Sequence, residues 1–164
     1  MKLSRIHFLG IPYNYATVDK NLSRSAKPEV NDFYWLKEQG ITDIIDLSNK
    51  SEDIFNRYDE KSIVENLGMS YHHIPSTTTT VEETKINKFL ELMTNIKNKN
   101  GKAHIHCILG ADRAGLYSFV YKMTNNIGHL LDNLEEWVKK GHDANRYPNL
   151  IPGAQEFLKK LPKQ

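Results

Sequence analysis

HIHCILGADRAG, residues 104–115, is the stretch on which the reading of this chain turns. It starts inside a short apolar strand, AHIHC, and crosses a loop that contains Gly110. It then enters AGLYSFVYKM, which is apolar on nearly all sides. A helix with apolar residues all round is a buried one, here packed against a sheet. Strand, short loop and buried helix form the repeating unit of α/β folds with a parallel sheet. The chain's one cysteine, Cys107, falls at the strand end, and Arg113 falls where the helix opens.

Working outward, ITDIIDL (residues 41–47) reads as a buried strand and MSYHHIP (69–75) as an extended run stopped at Pro75. NLSRSAKP (21–28) is a short extended piece that ends at Pro28. Helical patterns lie between these. One carries Val30, Phe33 and Leu36 and is closed by Gly40; a second has Ile63, Val64 and Leu67, with Gly68 after it. A third carries Ile86, Phe89, Leu90 and Met93, preceded by a polar loop of Thr77 to Thr80. Thr80 and Glu83 stand at capping-box spacing there. LLDNLEEWVKK and PGAQEFLKKL read as two C-terminal helices, SNKSED and NKNGK as turns, and LPKQ as a fraying tail. The expectation is an α/β fold: one domain over residues 1–164, with a mainly parallel central sheet flanked by helices. Residues 1–21 show no clean period and are expected to be an N-terminal extension of that domain, wrapping its surface.

Composition narrows the function classes. With 22 basic and 20 acidic side chains the formal net charge is +2, and there is no dense Lys/Arg stripe and no zinc spacing, so nucleic acid is not expected as a partner. A single cysteine excludes an internal disulfide framework and is simplest to place in a reducing, cytoplasmic setting. The start, MKLSRIHFLGIPYNYA, has no continuous apolar stretch and does not read as a signal peptide; no window approaches the length of a membrane span. His72, His73, His104 and His106 do not give a ligand spacing, so no metal is expected, and no cofactor is called for. Oligomeric state is left open.

The loop itself is an anion cradle by construction. Backbone amides of a glycine-containing turn can converge, and the following helix N-terminus adds positive potential. Gly110 lets the chain turn where a Cβ would strain it or block the anion. The Arg113 fork can hold two phosphate oxygens at once. The same field favours the thiolate of Cys107, which can attack phosphorus in line and form a phosphocysteine that water then hydrolyses. Strand alternation turns His106 away from the cradle, where it would orient the loop by hydrogen bonding.

HCILGADRAG resembles the signature loop of the cysteine-dependent protein tyrosine and dual-specificity phosphatases, His-Cys, five residues, Arg. NLSRSAKP followed by FYWLKEQGITDIIDLSN resembles the opening of compact bacterial and fungal members, and the similarity spans roughly residues 20–140. The resemblance implies a dual-specificity phosphatase-like fold. It also implies Cys107 as nucleophile, Arg113 as phosphate clamp, and Ile108, Leu109, Gly110, Ala111 and Asp112 as amide donors. The implied partner is a phosphorylated protein or a small phosphorylated molecule, phosphotyrosine or similar aryl esters first. The alternatives are a phosphoinositide or inositol phosphate, or a weakly active phosphate-binding module. Two residues depart from the pattern. Ala114 stands where a Ser or Thr usually helps the thiolate leave, and no aspartate occupies the upstream loop IPSTTTTVEET that would carry the general acid. Asp112 is the replacement acid, with a cap or salt bridge as its structural alternative; Glu82 or Glu83 is a second source. Arg24 and Lys27 are expected at the pocket rim, Arg24 as a substrate-binding residue. Asp46 is expected as structural support, with Arg24 as its partner.

Overall fold

The computed structural model describes residues 10–52 and 58–163. Residues 1–9 of the expected extension, Asp53 of the expected SNKSED turn and Gln164 of the tail lie outside the described residues. The strands are β1 (Ala16–Thr17), β2 (Leu22–Ser25), β3 (Asp43–Asp46), β4 (Ser70–His73) and β5 (Ala103–His106). The helices are α1 (Val30–Glu38), α2 (Glu60–Asn66), α3 (Glu83–Asn98), α4 (Arg113–Thr124), α5 (Leu130–Lys139) and α6 (Leu150–Lys160), with a 3-10 turn at Lys50–Glu52.

The sheet order is β1-β2-β5-β3-β4. β2, β5, β3 and β4 run parallel, and β1 pairs antiparallel with β2 at the edge. β5 is therefore flanked on both sides, which is why AHIH is buried at every position. Successive residues of a strand face opposite ways. Ile44 joins a core with Phe33, Leu36, Val64 and Met69 from the side of α1 and α2, while Ile45 joins the larger core with α3, α4 and α6. α4 is buried from Arg113 through Tyr121, as its apolar run requires. In α3 the buried face is Ile86, Phe89, Met93 and Ile96, at helical spacing.

The architecture is the expected single α/β domain with a mostly parallel sheet. Three local expectations change. β1 forms inside the segment read as aperiodic, because two residues are too few to show alternation. The Thr80–Glu83 capping box is absent: Glu82 is the N-cap of α3, and its Oε1 accepts from the Thr77 amide at 2.9 Å. α6 starts at Leu150, ahead of the expected PGAQEFLKKL, because Pro152 in a first turn lacks only an amide that has no helical partner there. Among the described residues, no helix is long and apolar enough to cross a membrane.

All parallel strands end on one side of the sheet, so the loops after β2, β3, β4 and β5 gather there. In open α/β sheets that is where ligands bind.

Candidate active site

The loop after β5 is tied down by its carbonyls. The Ile108 carbonyl accepts from the Lys27 amide at 3.0 Å. The Leu109 carbonyl accepts from Asn14 Nδ2 at 3.2 Å. The Gly110 carbonyl accepts from Arg24 Nη2 at 2.8 Å. By contrast, the amides of residues 108–113 find no acceptor among the described residues. All of these residues but Leu109 are buried or half-buried, and buried donors without acceptors are costly unless a ligand fills the loop. Gly110 has φ +72°, and an added Cβ would lie 2.4 Å from the Ala26 nitrogen, so both the turn and its contact with the end of β2 require glycine. Cys107 is buried at the base of this loop.

Arg113 opens α4 and is almost fully buried. Its Nη1 donates to Glu52 Oε1 and Oε2 at 3.0 and 2.8 Å and to the Ser76 carbonyl at 3.1 Å. Its Nε is buried without an acceptor. One edge of the guanidinium is anchored and the other has no acceptor among the described residues.

Arg24 is not at a rim. It is wholly enclosed, with Nη1 donating to Glu136 at 3.3 Å and Nη2 to the Gly110 carbonyl. Burial lowers its pKa, and Glu136, with Cys107 close enough to contribute, offsets part of this. Arg24 thus supports the loop from within, and a role in touching substrate is withdrawn. Nor is it the partner of Asp46. Asp46 Oδ1 accepts from the Ser48 amide and hydroxyl at 2.8 and 2.6 Å, and Oδ2 accepts from Tyr71 at 2.9 Å. The expected pairing fails because the β3 position of Asp46 places it beside β5 and β4, at the register of His106 and His73.

His106 bonds the start of the loop through its ring. Its Nδ1 donates to the Cys107 carbonyl at 3.1 Å and its Nε2 to Glu60 Oε1 at 2.5 Å. Burial alone would lower its pKa, but Glu60 and Asp46 outweigh that and raise it to about 9. Both ring nitrogens are therefore donors and the strand end is pinned by a buried imidazolium. Two residues earlier, His104 sits between Ser23 Oγ (2.8 Å) and Ser25 Oγ (2.7 Å), and burial, helped by the charge on His106, drives its pKa well below 6.5. His72 goes to Asp43 and His73 to the Ser48 carbonyl, so the four histidines take four different sets of partners. Asp46, Glu60 and His106 do place one ligand atom each within 4.8 Å of one another, but the imidazolium already fills the cation's place between the carboxylates.

Asp112 occupies the N-cap position of α4 yet makes no side-chain cap. Its Oδ1 accepts from His142 Nδ1 at 2.7 Å and from the Asp143 amide at 3.2 Å. Glu82 and Glu83 are engaged elsewhere, Glu82 by Lys85 at 2.6 Å and Glu83 by Lys160 at 2.6 Å. Burial would raise the Glu82 pKa, but Lys85 and the Thr77 amide outweigh it and hold the group ionised. Ala114 is fully buried in the main core. Lys27 lies with its Nζ 5.6 Å from the Tyr58 ring centroid. Glu52, Glu60, Glu136 and His142 carried no mark in the sequence, since each meets the loop from a distant segment.

A family model described as "Tyrosine phosphatase family" matches residues 10–120. Among solved structures, the chain is similar to a DUF442 protein from Shewanella putrefaciens CN-32, with TM-score 0.80, 21% identity, and coverage of 99% of this chain and 100% of that one. It is similar to P. aeruginosa TpbA, with TM-score 0.71, 16% identity, and 88% and 84% covered. It is also similar to the core catalytic domain of the PP-IP phosphatase SIW14 from S. cerevisiae, with TM-score 0.71, 19% identity, and 93% and 87% covered. At these identities the likeness establishes the fold. No curated protein matches the chain.

Proposed function

Because the chain belongs to the tyrosine phosphatase family and is a cysteine-dependent phosphomonoester hydrolase, we propose that Cys107 is its nucleophile, with the phosphoryl group held by the amides of residues 108–113 and by Arg113. The observation that carries this is the run of amides without acceptors around Cys107, joined by the unpaired Nε of Arg113. The Cys107 thiolate attacks phosphorus, the S–P bond forms, and the P–O bond to the leaving group breaks. Asp112, in its protonated form, gives its proton to the leaving oxygen. Water then attacks the phosphocysteine and returns a proton to Asp112, releasing phosphate and the thiolate. The loop amides and Arg113 stabilise the equatorial oxygens in both steps. Ala114 offers no hydroxyl to the departing thiolate, so hydrolysis of the intermediate is the slow step.

Aryl phosphates, phosphotyrosine first, are the substrate class this site favours. The loop's most exposed residue is Leu109, the group facing Arg113 is the Glu52 carboxylate, and Arg24 adds no rim charge. An exposed leucine and a carboxylate beside the loop suit a phosphorylated ring better than a polyanionic inositol phosphate. TpbA has been crystallised in complex with pTyr, whereas SIW14 is a PP-IP phosphatase. Steady-state turnover of para-nitrophenyl phosphate, phosphotyrosine and an inositol polyphosphate, with Cys107→Ser as control, tests the reading. Activity that survives Cys107→Ser overturns the nucleophile, and preference for the inositol ester overturns the substrate class.

A further inference from the structure

Asp112 is held from one side. Both of its protein donors, His142 Nδ1 at 2.7 Å and the Asp143 amide at 3.2 Å, bind the same oxygen, Oδ1. Oδ2 has no partner among the described residues, and the side chain keeps a narrow opening to solvent, 12%. The His142 side chain is fully enclosed. Its ring stacks on Trp137 with centroids 4.6 Å apart, and its Nε2 is buried without a partner. Trp137 in turn lies against α4 at Gly115, where an added Cβ would come within 2.1 Å of the indole. Gly115, Trp137, His142 and Asp112 thus form a continuous contact chain that ends on the signature loop. Among the described residues, its polar link to the loop is the bond to Asp112 Oδ1.

We propose that His142 is the positioning residue for Asp112: it fixes Oδ1 so that Oδ2 is presented to the leaving oxygen and then to the attacking water. This rests on the reading of Asp112 as the proton donor. The arrangement suits both protonation states. With the proton on Oδ2, Oδ1 remains a carbonyl-type acceptor for the same two donors; with the proton gone, Oδ1 is a carboxylate oxygen for them. The carboxyl group therefore need not rotate between the two half-reactions. A histidine that served packing alone would need the stack on Trp137 but no bond to the loop.

The test is a leaving-group series of phosphate monoesters, from para-nitrophenol to alkyl alcohols, on wild type, His142→Phe, His142→Asn, Asp112→Asn and the Asp112→Asn/His142→Phe double variant. Phenylalanine keeps the stack and removes the donor; asparagine restores a donor near the place of Nδ1. The expected result is that His142→Phe lowers kcat at least tenfold more for alkyl than for para-nitrophenyl esters, with KM within twofold. His142→Asn recovers most of the loss, and the double variant is no worse than Asp112→Asn. Equal losses on all leaving groups, no recovery by asparagine, or additive losses in the double variant would overturn the role. If Asp112→Asn itself shows no leaving-group dependence, the proton-donor reading falls, and this proposal with it. Should His142→Phe not fold, the 15N spectrum of wild type and Asp112→Asn decides. An Nδ1–H tautomer at His142 that depends on Asp112 supports the role, and an Nε2–H tautomer overturns it.

Discussion

Arg24 and Arg113 are both buried cations at one loop, and they are held differently. Arg24 is wholly enclosed and uses both Nη groups, on Glu136 and on the Gly110 carbonyl, so that only its Nε is left without an acceptor among the described residues. Arg113 uses only Nη1, on Glu52 and the Ser76 carbonyl, and leaves its other edge without an acceptor among the described residues. The same contrast separates His106, clamped between Glu60 and the Cys107 carbonyl, from Asp112, whose Oδ2 is left open. Residues with their hydrogen-bonding groups largely matched inside the protein hold the loop's shape. Residues with a polar edge to spare can meet a ligand. Burial alone does not distinguish the two sets.

The sharpest way to break this contrast is at the open edge. Cys107→Ser is expected to lower kcat/KM by roughly 10⁴-fold or more, and Arg113→Lys by about 10²–10³-fold, because lysine is a point charge where a planar fork is needed. Neither is expected to move the thermal midpoint by more than a few degrees, as scanning calorimetry would show. A large loss of stability in either would place these residues with the supports.

Arg24→Met should do the reverse. It leaves the Gly110 carbonyl buried without its donor and leaves Glu136 with Lys122 alone, so a stability loss of about 3 kcal/mol is expected in urea unfolding. Activity measured on the remaining folded fraction should fall less than tenfold. If activity is abolished while stability is intact, Arg24 touches substrate after all.

The two β5 histidines give a pH signature of the enclosed side. His106 is raised from 6.5 to about 9, so its stabilisation is complete below pH 6.5 and is lost as pH climbs from there through about 9, a total of about 3 kcal/mol. His104 is lowered well below 6.5, so its contribution is present above pH 6.5 and is lost as pH falls from that value. Asp43 and Asp46, also lowered, add to the acid loss further down. Stability should therefore peak near pH 6.5, and His106→Gln should flatten the alkaline limb while lowering the maximum. An unchanged alkaline limb in that variant would show that His106 is not the titrating support.

The smallest effect is expected at Ala114. Ala114→Ser should speed hydrolysis of the phosphocysteine by a factor of a few and shrink any pre-steady-state burst. Because Ala114 is fully enclosed, the added hydroxyl costs about 1 kcal/mol of stability unless it finds a partner. No change in burst amplitude would mean that the thiolate leaves without such help.

Much of the fold was legible because its signals are local. The apolar runs ITDIIDL and AHIHC, the buried-helix pattern AGLYSFVYKM and the stops at Gly40 and Gly68 all rest on neighbours along the chain. β1 was not legible, since its two residues become a strand only by lying beside β2. The capping box at Thr80 was legible but absent, because Glu82 takes the N-cap position and closes the loop onto Thr77. At the candidate site, Cys107, Gly110 and Arg113 share one short loop, so their grouping is legible along the chain. Arg24 was assigned the wrong surroundings, and Asp46 the wrong partner.

What the amino-acid order determined by itself is therefore the loop, its flanking strand and helix, and the placing of a cysteine and an arginine across it. Those depend on contacts within a few residues. What only the tertiary structure decided is which charged groups are spent on support and which are left for a ligand. Glu136 reaches Arg24 across 112 positions, Glu60 reaches His106 across 46, and His142 reaches Asp112 across 30. Hydrogen bonds and ion pairs are short-ranged and directional, so such partners are set by how the helices pack on the sheet. His104 and His106 make the point two residues apart on one strand: burial and the charge on His106 leave one neutral between the hydroxyls of Ser23 and Ser25, and the carboxylates of Glu60 and Asp46 keep the other charged.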